Sequence, residues 1–333
     1  MRKVRVAQIG TSALSHGASI LKSMRKQQEL FEVVGYALPE NEREKFPERM
    51  ADFDGLREMT VQEILADEAV EAVVIETEEI YLTKYALLAA QHGKHIHMEK
   101  PGGIDLAAFE KLIGTVKKNK TVHHLGYMYR YNPYVRETIE KVKNGELGEV
   151  YCVEAQMSCP QPLERRHWLS VFPGGMMFFL GCHLVDLVMQ IMGKPEKILP
   201  MNAAVGFEGT KSEDYGFAVL QYNGISSFVK TCGWEVGGYE RRQLVVCGTK
   251  GSVEIKPLEW PGQNGQRTQK REILDSGWTS PSTYTWCEDM DRYDGMLASF
   301  AAMVRGEKEN PYTYDYELEL YKTVLQCCGV EVK

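Results

Sequence analysis

No run in this chain approaches the ~20 consecutive apolar residues that a membrane-spanning helix needs, so no membrane partner is expected. An excess of positive charge is missing as well. Lys and Arg number 39 against 46 Asp and Glu, giving a formal net charge of −7 at pH 7, which disfavours nucleic acid and anionic membrane surfaces as partners. Cys-x-x-Cys pairs are absent. Eight cysteines are scattered, with only Cys327 and Cys328 adjacent, so neither a zinc site nor a disulfide framework is expected, and histidines and carboxylates fall at no recognisable metal-ligand spacing. The first residues, Met1-Arg2-Lys3-Val4-Arg5-Val6, lack the apolar region of an export signal. Reduced thiols in a cytoplasmic protein are therefore expected. Internal repeats and low-complexity segments are also lacking. What is present is ordinary for a globular protein: 333 residues, 44% hydrophobic and 26% charged, enough for two domains with sizeable cores.

Val4 to Ile9 reads as a short apolar strand that stops at Gly10. Gly10-Thr11-Ser12-Ala13-Leu14-Ser15-His16-Gly17 then leads into helically spaced Ala18 to Met24. Strand, small-residue turn and helix are the context of a phosphate-binding loop. The dinucleotide fingerprint asks for three glycines, and its second and third places fall on Ser12 and Ser15. Phe31 to Leu38 is a second strand. Where an acid usually holds the ribose hydroxyls, this chain has Leu38-Pro39-Glu40-Asn41, and Arg43 is the nearest cation for a 2'-phosphate. A helix over Val61 to Leu65 and a strand over Ala69 to Ile75 follow, then Glu76-Thr77-Glu78-Glu79. A helix from Tyr81 to His92 closes at Gly93. Strand His95 to Met98, helix Asp105 to Asn119 and strand Val122 to Leu125 complete an alternation that predicts a doubly wound parallel sheet.

Glu99-Lys100-Pro101 ends the fourth of these strands. Proline removes a backbone donor and holds the residue before it extended. Ligands of open parallel sheets sit at the carboxyl ends of the strands, and a lysine held there can carry a proton or orient a hydroxyl if burial lowers its pKa. A solvated lysine in a surface turn is the competing reading of these three residues.

Beyond Gly126 the pattern changes. A helix runs to Lys143. Strand-like runs then cover Val150 to Met157, Ala218 to Tyr222, Ser226 to Cys232, Arg242 to Cys247 and Ser252 to Ile255, with one apolar helix from about Met176 to Met192 between them. This predicts an α+β domain on a largely antiparallel open sheet, and Tyr293 to Arg305 and Tyr316 to Cys328 return to helix. Arg165, Arg166, His167 and Trp168 precede the Pro173-Gly174-Gly175 turn. They are expected at a substrate mouth, with Trp168 on a sugar face, against the reading of a solvated basic loop.

Five motifs carry a more specific signal: the Gly10 loop; Glu99-Lys100-Pro101; Gly126-Tyr127-Met128-Tyr129-Arg130-Tyr131-Asn132-Pro133; Gly174-Gly175 through Gly181-Cys182-His183-Leu184-Val185-Asp186; and Gly248-Thr249-Lys250-Gly251-Ser252-Val253-Glu254. In this order and spacing they resemble the Gfo/Idh/MocA family of NAD(P)-dependent oxidoreductases, which includes glucose–fructose oxidoreductase and inositol dehydrogenases. The resemblance implies a dinucleotide-binding Rossmann domain over residues 1–125 and a substrate-binding and oligomerisation domain over 126–333, whose last helices can pack back on the first domain. It implies hydride transfer between NAD or NADP, with NAD favoured, and a ring hydroxyl of a sugar, cyclitol or glycoside. Lys100 and His183 become the catalytic pair. Gly10, Thr11, Ser12, Ala13, Leu14, Leu38, Thr77, Glu99, Lys100, Pro101 and Arg130 are expected at the cofactor, and Tyr129, His167, Trp168, His183 and Asp186 at the substrate. At helical spacing His183 and Asp186 share a face, so Asp186 either fixes the histidine tautomer or binds substrate. A packed histidine and a structural aspartate are the competing readings. A homodimer or homotetramer through the second-domain sheet is implied too.

Four departures from the family pattern matter. Phe179 stands where an aspartate usually lies four residues before the histidine, Met176 replaces the third glycine of a run, Glu76-Thr77-Glu78-Glu79 replaces a sequence close to Ala-Thr-Pro-Asn, and Leu38 replaces the acid after strand two. The proton relay must then do without that acid or use Tyr129, His167 or His124, and a phenylalanine at position 179 suits an aglycone or another less polar group. Two alternatives follow: a family member that binds cofactor without turning over, as a regulatory or binding subunit, and an enzyme that holds NAD tightly and recycles it within one turnover.

Overall fold

The computed structural model describes residues 2–274 and 282–332. The chain forms two compact units, Met1–Tyr127 with Arg292–Leu318, and Met128–Asp291 with Glu319–Lys333.

In the first unit, strands β1 (Val4–Ile9), β2 (Phe31–Ala37), β3 (Ala72–Ile75), β4 (His95–Met98) and β5 (His123–Leu125) form a five-stranded sheet in the order 2-1-3-4-5, parallel throughout. Helices α1 (Gly17–Lys26), α2 (Glu42–Lys45), α3 (Val61–Ala66), α4 (Leu82–Gln91) and α5 (Leu106–Asn119) connect them. All four residues of β3 are fully buried. Its apolar run does not alternate because a parallel sheet of this kind is covered on both faces. β3 starts at Ala72 rather than Ala69, because Asp67 takes the Ala69 N–H on its side chain (2.9 Å) and the Val70 N–H on its carbonyl (3.1 Å), an Asx turn that delays the strand. Local chemistry sets the helix starts. Thr60 and Glu63 close a capping box on α3, and Asp105 accepts the Ala108 N–H at the head of α5.

Helix α9 (Asp294–Val304) also belongs to this unit. Asp294 takes hydrogen bonds from Ser23 and Lys26 on α1, and Phe300 stacks on His124 with ring centroids 5.5 Å apart. His97 and His124 are fully buried neighbours on β4 and β5, with their Nδ1 atoms 2.8 Å apart. One nitrogen must donate and the other accept, which requires that at least the accepting ring be neutral. Burial, with a smaller contribution from His123, pushes His97 down to about 3.

The second unit is built on an eight-stranded sheet in the order β15-β14-β11-β10-β6-β9-β8-β7. Its strands are β6 (Val150–Gln156), β7 (Lys197–Pro200), β8 (Tyr215–Tyr222), β9 (Ile225–Cys232), β10 (Gln243–Gly248), β11 (Ser252–Ile255), β14 (Gln269–Ile273) and β15 (Tyr284–Trp286), while β12 (Trp260–Pro261) and β13 (Gln266–Arg267) pair separately. Every pair in the large sheet is antiparallel except β6 with β9. β8 runs longer than its apolar stretch suggests, and β7, β14 and β15 are outer strands too polar or too short to stand out by periodicity. Alternate residues are buried, as on Gly216, Ala218, Leu220 and Tyr222 of β8. Helices α6 (Pro133–Lys143), α7 (Leu163–Trp168), α8 (Cys182–Met192) and α10 (Tyr314–Cys327, which begins in the first unit) complete the chain. The apolar run expected as one helix from Met176 is a π-helical turn, Met177–Gly181, followed by α8. The basic segment before it forms α7 instead of a loop.

One ion pair ties this unit together. Arg130, in the 3₁₀ turn Met128–Tyr131 before α6, donates through Nε (3.0 Å) and Nη2 (2.9 Å) to Asp186 on α8, and both side chains are almost entirely buried. Gln190, one turn further along α8, donates to Asp186 Oδ2 at 2.9 Å. No disulfide joins any of the eight cysteines. No helix among the described residues is long and apolar enough to cross a membrane.

Two predictions follow from these buried groups. The folded state resists protonating His97, so between pH 6.5 and about 3 the unfolded chain binds more protons and stability falls as pH falls. From about pH 7 to about pH 4 this costs about 3 kcal/mol, and urea midpoints of His97→Leu should fall less over that interval than wild-type midpoints; equal slopes would refute the assignment. Asp186→Asn removes the charge opposite a buried guanidinium and should lower unfolding free energy by about 3–5 kcal/mol, measured in the same way.

Candidate functional site

In the first unit, β2 lies on one side of β1 and β3 on the other, with β4 beyond β3, so the crossover from β1 to β2 and that from β3 to β4 run in opposite directions across the sheet. That is the switch point where ligands of open α/β sheets bind. Gly10 turns at φ +91°, and a Cβ there would come within 2.3 Å of Thr77, so only glycine permits the loops after β1 and β3 to meet. Serines at the second and third fingerprint places fold the loop from within: Ser12 Oγ accepts the Ser15 N–H (2.8 Å), and Ser15 Oγ accepts the Ser12 N–H (3.2 Å). Helix α1 follows with no side-chain cap and no acid in its first turn. Its first N–H groups and dipole therefore suit an anion. Of the other residues expected at the cofactor, Thr11 and Thr77 are buried, Ala13 is exposed, and Leu14 and Leu38 are half-buried.

Sequence reading missed Glu42. The acid expected after β2 is Leu38, but Glu42, fully buried in the first turn of α2, turns back so that its Oε2 accepts the Thr11 N–H at 3.2 Å. Burial pushes its carboxyl up to about 9, against the pull of that N–H, so Glu42 carries a proton at neutral pH and its Oε1 makes no hydrogen bond within the protein. The only signal in the sequence was an acid four residues beyond the expected place. Glu40, the first acid after β2, is held by Lys84 and Tyr85. Arg43 is held by Glu58 and the Tyr36 hydroxyl.

At the end of β4, Lys100 is 3% exposed, with Nζ 3.5 Å from Glu99 Oε1, and its bond to Pro101 is cis. Glu76 and Glu79, also buried, lie in the loop after β3. Burial raises Glu76 well above the usual carboxylate range, with the Glu99 and Glu79 charges adding and Lys100 opposing. Burial likewise takes Glu79 up to about 7. His16, beside Tyr293 (5.5 Å between rings), is driven down to about 3 by burial, then by the Lys100 and Arg292 charges. Lys100 is therefore a buried cation among carboxyls and not a solvated turn residue. The loop, the open helix end and this lysine share one edge of the sheet, and together they fit a pyrophosphate and a cationic or polar ring.

In the second unit, His183 on α8 and Tyr129 are both buried and meet edge to face, with centroids 5.2 Å apart. The Tyr129 hydroxyl donates to Glu259 Oε2 at 2.8 Å. Arg130, expected at the cofactor, and Asp186, expected on His183 or the substrate, hold one another. His124, a relay candidate, sits with His97 in the core of the first unit, and His167 is exposed on α7. Trp168 is half-buried and meets Phe172 (4.7 Å) and Phe179 (5.4 Å) edge-on. Phe179 thus belongs to an aromatic cluster where an acid was expected. Arg166, expected at a substrate mouth, is a buried structural cation: it stacks 3.7 Å over Trp234 and pairs with Glu208.

Residues 4–127 match the model of an oxidoreductase family with an NAD-binding Rossmann fold, and residues 135–254 match the GFO/IDH/MocA C-terminal domain. A trans-1,2-dihydrobenzene-1,2-diol dehydrogenase of Xenopus laevis is 23% identical over 248 residues, 72% of this chain and 71% of that protein. Among solved structures, an aldose-aldose oxidoreductase from Caulobacter crescentus superposes with a TM-score of 0.79 at 19% identity, covering 98% of this chain and 96% of that one. A 3-ketoreductase from Actinomadura kijaniata, solved with NADP, gives 0.77 at 17% identity, covering 97% and 96%. Sheet order, phosphate loop and both family matches agree: this chain is a member of the GFO/IDH/MocA family of oxidoreductases, with an NAD-binding Rossmann half.

Proposed function

We propose that this oxidoreductase uses NAD to oxidise, reversibly, a ring hydroxyl of a sugar, cyclitol or glycoside. The observation that carries the reading is Lys100, buried beside Glu99 at the carboxyl edge of a sheet whose phosphate loop lies on the same edge. The backbone of Gly10 to Leu14 and the head of α1 would hold the pyrophosphate, and Leu38, Thr77 and Glu99 would line the rest of the cofactor. Bound nicotinamide supplies the hydride acceptor. Lys100 and His183 share the work on the hydroxyl proton, the lysine orienting the oxygen and the imidazole taking the proton. Trp168, half-buried in its aromatic cluster, supports a substrate with one apolar face, and Tyr129 supports a polar contact beside His183. His167 and Asp186 stay in the proposed substrate set, Asp186 acting through its hold on Arg130. The hold on Arg43 supports NAD: this nearest cation for a 2'-phosphate is tied to Glu58 and Tyr36.

We also propose a homodimer or homotetramer assembled through the outer face of the second-unit sheet. A row of paired residues, Leu199, Val219, Phe228, Glu154, Val245 and Glu254, crosses that face, and none of them is buried. Phe217 and Phe228 stack on it at 5.7 Å. In its β7–β9 half Leu199, Phe217, Val219 and Phe228 form an apolar centre among Lys197, Gln221, Ser226 and Lys230, and such a patch is costly to leave in water.

Dinucleotide titration of the purified apo protein should give NAD binding at least about tenfold tighter than NADP, about 1.4 kcal/mol. With NAD and myo-inositol or glucose as probes, Lys100→Met should lower kcat by at least about a hundredfold; full turnover in that variant would refute the mechanism. Light scattering should find an oligomer that Phe228→Arg breaks into monomers of unchanged circular dichroism, and a monomeric wild type would remove the interface.

A further inference from the structure

Phe179 removes the acid that the motif pattern places near His183, yet a buried carboxylate stands one residue away from that histidine by contact. Glu259 is 3% exposed and lies between two phenols. Oε2 accepts from Tyr129 (2.8 Å), and Oε1 accepts from Tyr239 (2.5 Å). Arg242 closes the group. Its Nη1 is 3.6 Å from Glu259 Oε1 and donates to the Tyr129 oxygen at 3.4 Å, and its guanidinium lies 4.3 Å over the Tyr239 ring. Tyr129 in turn lays its ring at 89° against His183.

We propose that Glu259, braced by Arg242, is the positioning residue of this active site: it fixes the hydroxyl direction of Tyr129, and through the Tyr129 ring it fixes the orientation of His183. The inference deepens the proposed hydride-transfer reading and assumes that His183 serves that reaction. The chemistry is one of hydrogen-bond direction. A phenol has one proton to give. Glu259 takes it, so the Tyr129 oxygen faces other groups as an acceptor, a lone pair for a hydroxyl and not a donor that competes with it. The charged acceptor makes this bond stronger than a neutral one, and the second phenol and the guanidinium satisfy the carboxylate, which makes its burial affordable in free energy. The group spans three places far apart in sequence, the turn at Tyr129, Tyr239 with Arg242 ahead of β10, and the residue before β12, so no local motif announces it. Glu259 touches neither reacting atom and acts through Tyr129.

The test uses the full-length protein in two arms. In the first, the His183 ring resonance is titrated by NMR in protein with labelled histidine, without cofactor or substrate. Glu259→Gln and Tyr129→Phe should both move that titration, and Tyr239→Phe should move it less. An unmoved His183 titration in Glu259→Gln, with Tyr129→Phe also unmoved, overturns the proposal whether or not the chain oxidises polyols. In the second arm, with NAD and myo-inositol, Glu259→Gln should lower kcat about tenfold or more with KM changed by less than about threefold. The double variant with Tyr129→Phe should be no worse than the poorer single one, because the two residues act as a unit. Losses that multiply, or a loss confined to KM, overturn it. Glu259→Asp, which keeps the charge, should recover part of the kcat loss, and thermal unfolding of every variant separates lost folding from lost positioning. Wild-type failure on both probes, with the NMR coupling intact, would count against the substrate reading and in favour of the positioning role.

Discussion

Desolvation of charge is the constraint on which both units depend. An isolated ion moved out of water costs several kcal/mol even after the protein relaxes, so buried cations here are compensated: Lys94 by the Asp67 and Val70 carbonyls, and three others by an acid within reach. Lys100 has Glu99, Arg130 has Asp186, and Arg242 has Glu259. Elsewhere desolvation works against charge: it raises the Glu42 and Glu76 carboxyls and lowers the His16 and His97 imidazoles. The apolar core supplies the bulk of stability, but the Arg130–Asp186 pair fixes where one backbone turn sits, since it joins the turn Met128–Tyr131 to α8.

Much of this was legible in the chain. The first unit could be read because its signals are local: an unbroken apolar run such as Ala72 to Ile75 means a strand covered on both sides, and a glycine at position 10 means a turn no other residue can make. Lys100 was legible because the proline after it leaves few geometries. Glu42 was not. Its position in the sequence is ordinary, and only the packing of α2 against the loop after β1 turns it toward the Thr11 N–H. Arg130 and Asp186 were assigned to two different ligands because a sequence offers no way to see that residues 56 apart meet. His124 drew attention as a titratable group, yet its neighbour across the sheet, His97, makes it part of the core. Ion pairs and hydrogen bonds at long range along the chain are the class of feature that periodicity cannot report.

The π-helical turn before His183 explains one departure from the motif. Met177 to Gly181 winds more widely than an α-helix, so a residue four before the histidine need not share its face as it would at 3.6 residues per turn. In this chain that residue is Phe179, and it takes its place against Trp168, whose other edge-on partner is Phe172. Loss of the acid and gain of an aromatic cluster are one event in packing terms: the volume is filled by rings whose edges and faces alternate, which is the arrangement their quadrupoles favour.

The first unit is discontinuous. Its α1 is bonded through Ser23 and Lys26 to Asp294, and its histidine pair is lidded by Phe300, yet Asp294 lies 271 residues beyond Ser23 and 268 beyond Lys26, after almost all of the second unit. During synthesis the parallel sheet therefore emerges long before the helix that completes it. Until α9 leaves the ribosome, the nascent chain must carry an open apolar flank and two imidazoles in contact with water. The order of the genetic message thus makes the last tenth of the chain the closing step for the first third.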